Sequence, residues 1–229
     1  MKIIGLIGGM SWHSSLEYYR IINEMIYSRL GGWHSAKILL YSVDFDEIDT
    51  IHTTEDGIET DGVLIDAAKR LESGGADFII ICANTPHRTY DAIQASVKIP
   101  LLHIADATAE KIKDIKIKKI GLLGTKATME QEFYKVRLEK KHGFEVFVPE
   151  ENEREIINNE IKDICQGKTS STAKKNFLNA INNLVKMGAE GVILGCTEIP
   201  LIIQQKDVKI PVFDTTRIHA EAAVEYALK

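Results

Sequence analysis

Two stretches of the chain are copies of each other. Gly75-Ala76-Asp77-Phe78-Ile79-Ile80-Ile81-Cys82-Ala83-Asn84-Thr85 aligns without a gap to Gly188-Ala189-Glu190-Gly191-Val192-Ile193-Leu194-Gly195-Cys196-Thr197-Glu198. Each reads as a glycine closing a helix, a short apolar run suited to a buried parallel strand, and polar residues where the strand should turn. The register aligns Cys196 with Ala83, and not with Cys82. Other echoes follow in the same order: Ile120-Gly121-Leu122-Leu123-Gly124-Thr125 repeats Ile4-Gly5-Leu6-Ile7-Gly8-Gly9, Tyr134 falls where Tyr18 falls, and Val208-Lys209-Ile210-Pro211 repeats Val97-Lys98-Ile99-Pro100.

The repeat predicts an α/β chain of two similar lobes with parallel sheets, 1–113 and 114–214, related by a pseudo-two-fold. A final helix in 215–229 is expected to pack back on the first lobe. Ligands of such sheets bind beyond the carboxyl ends of the strands. The expected site is therefore a cleft where the strand ends at 8–11, 83–85, 124–127 and 196–198 converge. Within the first lobe, Ser11 stands where the N-cap of a helix through Leu16, Tyr19, Ile22, Ile26 and Leu30 should be. The acidic, Thr-rich stretch from Asp44 to Glu59 reads as a long loop, a kind of segment that commonly carries function.

With 229 residues the chain can bury a full core. Charged residues make up 27% and the net charge is −5, which fits neither a basic nucleic-acid footprint nor disorder. A small polar ligand fits better. The apolar start, Met1 to Gly9, is too short and too glycine-broken to span a membrane and lacks a signal-peptide cleavage region, so a cytoplasmic location is expected. Cysteines at 82, 165 and 196 do not suggest a disulfide framework. No pair of histidines has metal-helix spacing, and the N-terminal glycines spell neither a dinucleotide nor a Walker motif, so neither a metal nor a nucleotide cofactor is expected.

Cys196 is the leading candidate for chemistry. A thiol at a strand end facing a helix N-terminus is expected to have its pKa lowered from about 8.5, which makes a base or nucleophile. The competing reading is a small buried hydrophobe. Asn84, Thr85 and Thr197 offer short donors at helix starts that suit a carboxylate, or act only as caps. Cys82 should point to the opposite face of its strand from Ala83; it and Glu198 are secondary candidates. His52, on the expected loop, either lines the site or is solvated, and Cys165 is given no role.

The motifs Gly5-Leu6-Ile7-Gly8-Gly9-Met10-Ser11-Trp12, Ser42-Val43-Asp44-Phe45, Asn84-Thr85-Pro86-His87 and Gly195-Cys196-Thr197-Glu198 resemble those of the aspartate/glutamate racemases, along the whole chain. The resemblance implies a homodimer without pyridoxal phosphate, in which two cysteines on opposite faces of a small acidic amino acid exchange its α-proton. Cys196 matches the second of these cysteines, and Ala83 stands at the first. Met10, Ser11, His52, Asn84, Thr85 and Thr197 match substrate-contacting positions. The arginine and lysine that hold the distal carboxylate in aspartate racemases have no match, the latter position being Cys165. Alanine cannot carry a proton, so three readings stay open: a racemase, impaired or one-sided; a single-cysteine decarboxylase or lyase working through an enolate; and a non-catalytic binding homologue.

Overall fold

The computed structural model describes residues 1–51, 58–168 and 170–229. It divides into two compact units, the first made of Met1–Ile104 with His219–Lys229 and the second of Ala105–Ile218. In chain order the first unit holds β1 (Ile4–Gly8), α1 (Trp12–Leu30), β2 (Ile38–Ser42), α2 (Phe45–Ile51), α3 (Ile58–Ser73), β3 (Phe78–Ile81) and α4 (Tyr90–Ser96). After α5 (Ile104–Lys113) come β4 (Lys119–Gly124), α6 (Lys126–Glu130), α7 (Glu132–His142), β5 (Glu145–Phe147), α8 (Glu151–Cys165), α9 (Ala173–Met187), β6 (Gly191–Gly195), α10 (Ile199–Ile202), β7 (Val212–Asp214) and α11 (Thr215–Leu228). The strands form two parallel sheets, β2-β1-β3 and β5-β4-β6-β7.

The repeat is visible hydrogen bond by hydrogen bond. Ala76 donates to Leu71 O and Ala189 to Leu184 O, both at 3.0 Å, around left-handed Gly75 and Gly188 with φ of 94° and 109°. Glycine is needed there to close the helix before each central strand. Ile79 N donates to Pro100 O at 2.8 Å, and Val192 N to Pro211 O at 2.9 Å. The partner of β3 past Pro100 is a single bridge, Ile79 to Leu101, where the second unit has the strand β7.

Alternation along β1 and β3 sorts side chains to the two faces of the first sheet. Ile7, Ile79, Ile81 and Ala83 pack with Leu64, Ala67, Ala68 and Leu71 of α3. Ile4, Leu6, Phe78, Ile80 and Cys82 pack with Tyr18, Ile21, Ile22 and Ile26 of α1 and Ala220, Ala223, Val224 and Ala227 of α11. In the second unit Leu123, Val192 and Leu194 pack with Ile157 and Ile161 of α8 and Phe177, Ile181 and Leu184 of α9.

The structure corrects or completes the sequence reading at three places. The segment read as a loop is helical over Phe45–Ile51, where Asp44 Oδ1 accepts the Asp46 N–H at 3.1 Å and Ile48 is fully buried. Helix α1 does not bury the face on which Leu16, Tyr19 and Leu30 lie; its core face is Ser14, Ser15, Tyr18, Ile21, Ile22 and Ile26. The second unit begins at Ala105, in the first turn of α5, and not at residue 114; Asp106 on α5 accepts from Arg137 at 2.8 Å, Lys141 at 2.7 Å and His142 at 2.8 Å, all on α7.

His219 on α11 is fully buried, with Nε2–H donating to Leu102 O and Nδ1 accepting from Tyr18 Oη, both at 3.0 Å. Burial lowers its pKa to about 4. An unfolded chain takes up this proton below about 6.5, whereas the folded chain refuses it until about 4, so stability falls as pH drops through that window. At pH ~5 the expected loss from this residue is about 2 kcal/mol. Urea unfolding of His219→Gln should accordingly show a smaller loss of stability between neutral pH and pH ~5 than the parent does; an equal loss would contradict the assignment.

Candidate functional site

In the first unit the chain leaves β1 through Gly9, whose φ is 97° and whose missing Cβ would lie 2.1 Å from Val43 O. Only glycine permits that approach. Gly9 N–H donates to Ser15 Oγ at 2.8 Å, and Ser15 Oγ donates to Ser11 O at 3.3 Å, which pins the turn to α1. Ser11 occupies the N-cap position, but its side chain makes no capping bond. Its Oγ is buried without a hydrogen-bond partner, a donor that a ligand oxygen could satisfy. Met10 is buried beside it in the sequence.

At the end of β3, Ala83 and Cys82 part company. Ala83 faces the α3 side and Cys82 the α1 and α11 side, where burial pushes its thiol pKa far up. Cys82 is thus a core residue with an inert thiol. Asn84 and Thr85 open the 3-10 turn Thr85–Thr89, and Asn84 is buried without a side-chain capping bond. Sequence reasoning gave no position-setting task to His87, yet its ring ties this turn down. Nδ1–H donates to Ala83 O at 2.8 Å, and Nε2 accepts the Ile104 N–H at 3.2 Å, which fixes a neutral tautomer. His52 lies outside the described residues.

In the second unit the end of β6 carries Cys196, Thr197 and Glu198. Glu198 is buried, and its Oε2 accepts from Cys196 Sγ and from Thr197 Oγ1, both at 2.8 Å. Burial, followed by the charge of Glu198, pushes the pKa of Cys165, the last residue of α8, up to about 12. The sequence did not single out Cys165. Its spacing from Ile157 and Ile161 is the signal that was available, because it continues the core-facing stripe of the helix.

This cluster overturns the expected low pKa of Cys196. Burial, then the charge of Glu198, then the neighbouring Cys165, then the hydrogen bond donated to Glu198 all raise it well above its ordinary value; only the Glu198 backbone N–H acts the other way. The helix that was to supply a dipole, α10, is four residues long, too short to oppose a carboxylate in contact. Thr197 also departs from the capping reading, because its hydroxyl is spent on Glu198. Each unit thus presents a polar strand end, with amide and hydroxyl donors on the first and a thiol joined to a carboxyl on the second. Among the described residues no group of three His, Cys, Asp or Glu could hold a metal ion, and no helix is long and apolar enough to cross a membrane.

Comparison with known proteins agrees with this architecture. The family described as Asp/Glu/Hydantoin racemase matches residues 7–223. A broad specificity amino-acid racemase of Bacillus subtilis is 29% identical over 161 residues, 70% of this chain and 69% of that protein. The crystal structure of a candidate Asp/Glu racemase from Yersinia pestis superposes with a TM-score of 0.95 at 50% identity over 100% of both chains. That of an aspartate racemase homologue from Pyrococcus horikoshii superposes with a TM-score of 0.86 at 38% identity, again over 100% of both.

The electrostatics of Cys196 can be read chemically. Glu198→Gln removes the charge that opposes thiolate formation, and each unit by which the pKa falls raises the thiolate fraction about tenfold. Alkylation of Cys196 by iodoacetamide near pH ~8.5, followed by peptide mass mapping, should therefore be faster in the variant. An unchanged or slower rate would mean that Glu198 does not hold the proton on sulfur.

Proposed function

Since the chain belongs to the Asp/Glu/hydantoin racemase family, we propose that it is a homodimeric amino-acid racemase that moves an α-proton without a cofactor, with Cys196 as its acid and base. The observation that carries this reading is the bond of 2.8 Å from Cys196 Sγ to Glu198 Oε2 at the carboxyl end of β6. In the resting enzyme the thiol keeps its proton. Passing that proton to Glu198 leaves a thiolate beside a neutral carboxyl group, without creating a net buried charge. The arriving substrate ammonium favours the thiolate further, by ordinary charge attraction.

The thiolate then takes the α-proton and becomes a thiol again, leaving a carbanion conjugated with the substrate carboxylate. Ser11, Asn84 and Thr85, with Thr197 through its backbone amide, the other amides of the two strand ends and Met10 alongside, hold that carboxylate. Such positioned proton transfer is typically worth about 10² to 10⁴ in rate. Return of the proton from Cys196 regenerates the starting enantiomer. Inversion needs a donor on the far face, and the internal repeat assigns that place to Ala83, which has none. The turnover is accordingly one-sided, with exchange outrunning inversion. The same feature favours a second reading, a decarboxylase that protonates an enolate from Cys196 alone.

Single enantiomers of aspartate and glutamate in deuterated water, followed by proton NMR and chiral chromatography, test both readings. The racemase predicts deuterium at the α-carbon, with retention exceeding inversion; Cys196→Ser should lose this exchange by about a hundredfold or more with its circular dichroism unchanged. No exchange in any amino acid, with release of carbon dioxide from a disubstituted malonate, would favour the decarboxylase. Ala83→Cys should raise the inversion rate by about tenfold or more, since it supplies the missing acid. A folded variant with no gain would remove residue 83 from the far face of the substrate.

A further inference from the structure

The two polar strand ends are held by different means. In the second unit Cys196 O, at the turn after β6, accepts the backbone N–H of Ile199 at 3.3 Å. The equivalent acceptor in the first unit is Ala83 O, and the residue three positions on is Pro86, which has no N–H to give. The His87 ring supplies the bond instead, with Nδ1–H on Ala83 O at 2.8 Å. The backbone N–H of the same residue donates to Asn84 O at 3.0 Å. His87 therefore holds two consecutive carbonyl groups of the turn. A trans peptide unit is planar and its N–H points opposite to its C=O. Holding Ala83 O thus fixes the direction of the Asn84 N–H, and holding Asn84 O fixes that of the Thr85 N–H; both point away from the carbonyls that His87 grips.

We propose that His87 is a positioning residue of the reaction: standing in for the N–H that Pro86 lacks, its imidazole aims the Asn84 and Thr85 amides at the substrate carboxylate. The proposal rests on the racemase reading above and adds to it a residue that acts through the turn and not on the substrate. The ring is built to stay where it is. It is 1% exposed, and its Nε2 accepts the Ile104 N–H at the start of α5 at 3.2 Å. His103 and His219 pack against it, with ring centroids 4.7 and 5.6 Å away. Filling space alone would not call for a side chain with a donor on one edge and an acceptor on the other, each with a buried backbone partner. An apolar ring of the same size would leave Ala83 O and the Ile104 N–H unpaired, and the substrate turn without its restraint.

The test withdraws one edge of the ring and then gives the bond back by another route. His87→Gln keeps an acceptor for the Ile104 N–H but removes the donor to Ala83 O. Its KM in the α-deuterium exchange of aspartate or glutamate should rise about tenfold or more, the worth of a misdirected hydrogen bond to a charged group, while kcat changes by less than about threefold. Pro86→Ala restores a backbone N–H where the second unit has that of Ile199, so Pro86→Ala/His87→Gln should recover a KM within about threefold of the parent's. A space-filling role predicts a lower urea midpoint with KM unchanged, and no recovery in the double variant; either result would overturn the proposal. Should His87→Gln fail to fold, the double variant decides: folded with a KM near the parent's, it supports the proposal, and unfolded or with a raised KM, it overturns it. A parent that exchanges neither amino acid would remove the racemase reading and this inference with it, whereas an active parent and an unmoved KM in His87→Gln would remove the inference alone.

Discussion

The parallel pairing of β1 with β3, and of β4 with β6, is the constraint from which the rest follows. Every residue of β1, β3 and β6 is buried, so neither sheet has a polar face and the first unsatisfied backbone groups appear where the strands stop. Glycines let the chain turn there at close range: Gly9 against Val43, and Gly195, whose missing Cβ would lie 2.8 Å from Leu123 O. The same pairing fixes side-chain direction. It sends Cys82 into the core between sheet and α1 while Ala83, one residue on, takes the other face. A shift of one residue would exchange them.

What the second strand end does with its thiol depends on Glu198. A buried carboxyl group must be hydrogen-bonded, and here two short donors, Cys196 and Thr197, supply bonds. The consequence is a sulfur that holds its proton at rest, in hydrogen-bond contact with a carboxyl oxygen. A thiol lowered by a helix dipole would stand as a free thiolate before substrate arrives. In the proposed mechanism the paired thiol becomes basic by an internal transfer, which couples its reactivity to whatever charge enters the site.

Much of this was legible in the sequence, for an identifiable reason. The repeat could be read because backbone hydrogen bonds obey position and not side-chain identity: Ile79 to Pro100 and Val192 to Pro211 are the same bond made twice. The register of Ala83 with Cys196 came from the same source. The pKa of Cys196 could not be read, because its direction is set first by burial and then by side chains, one of which, Cys165, arrives from the end of α8, remote in the sequence. Helix α2 was hidden by its acidic and threonine-rich composition, where the deciding facts are a cap from Asp44 and the burial of Ile48. For α1 the helix was legible from its apolar periodicity but its core face was not, since two apolar faces of one helix cannot be ranked without the sheet they pack on.

The central claim is that burial and the Glu198 carboxyl group together keep Cys196 protonated until substrate arrives. The most direct measurement is the ultraviolet thiolate absorbance of the ligand-free protein, titrated with pH and taken as the difference between the parent and Cys196→Ser. The prediction is that no thiolate attributable to Cys196 appears near pH ~8.5, where an ordinary cysteine is half ionised, and that it emerges only at distinctly higher pH. A thiolate signal already complete at neutral pH would contradict the thiol–carboxyl pairing on which the mechanism stands.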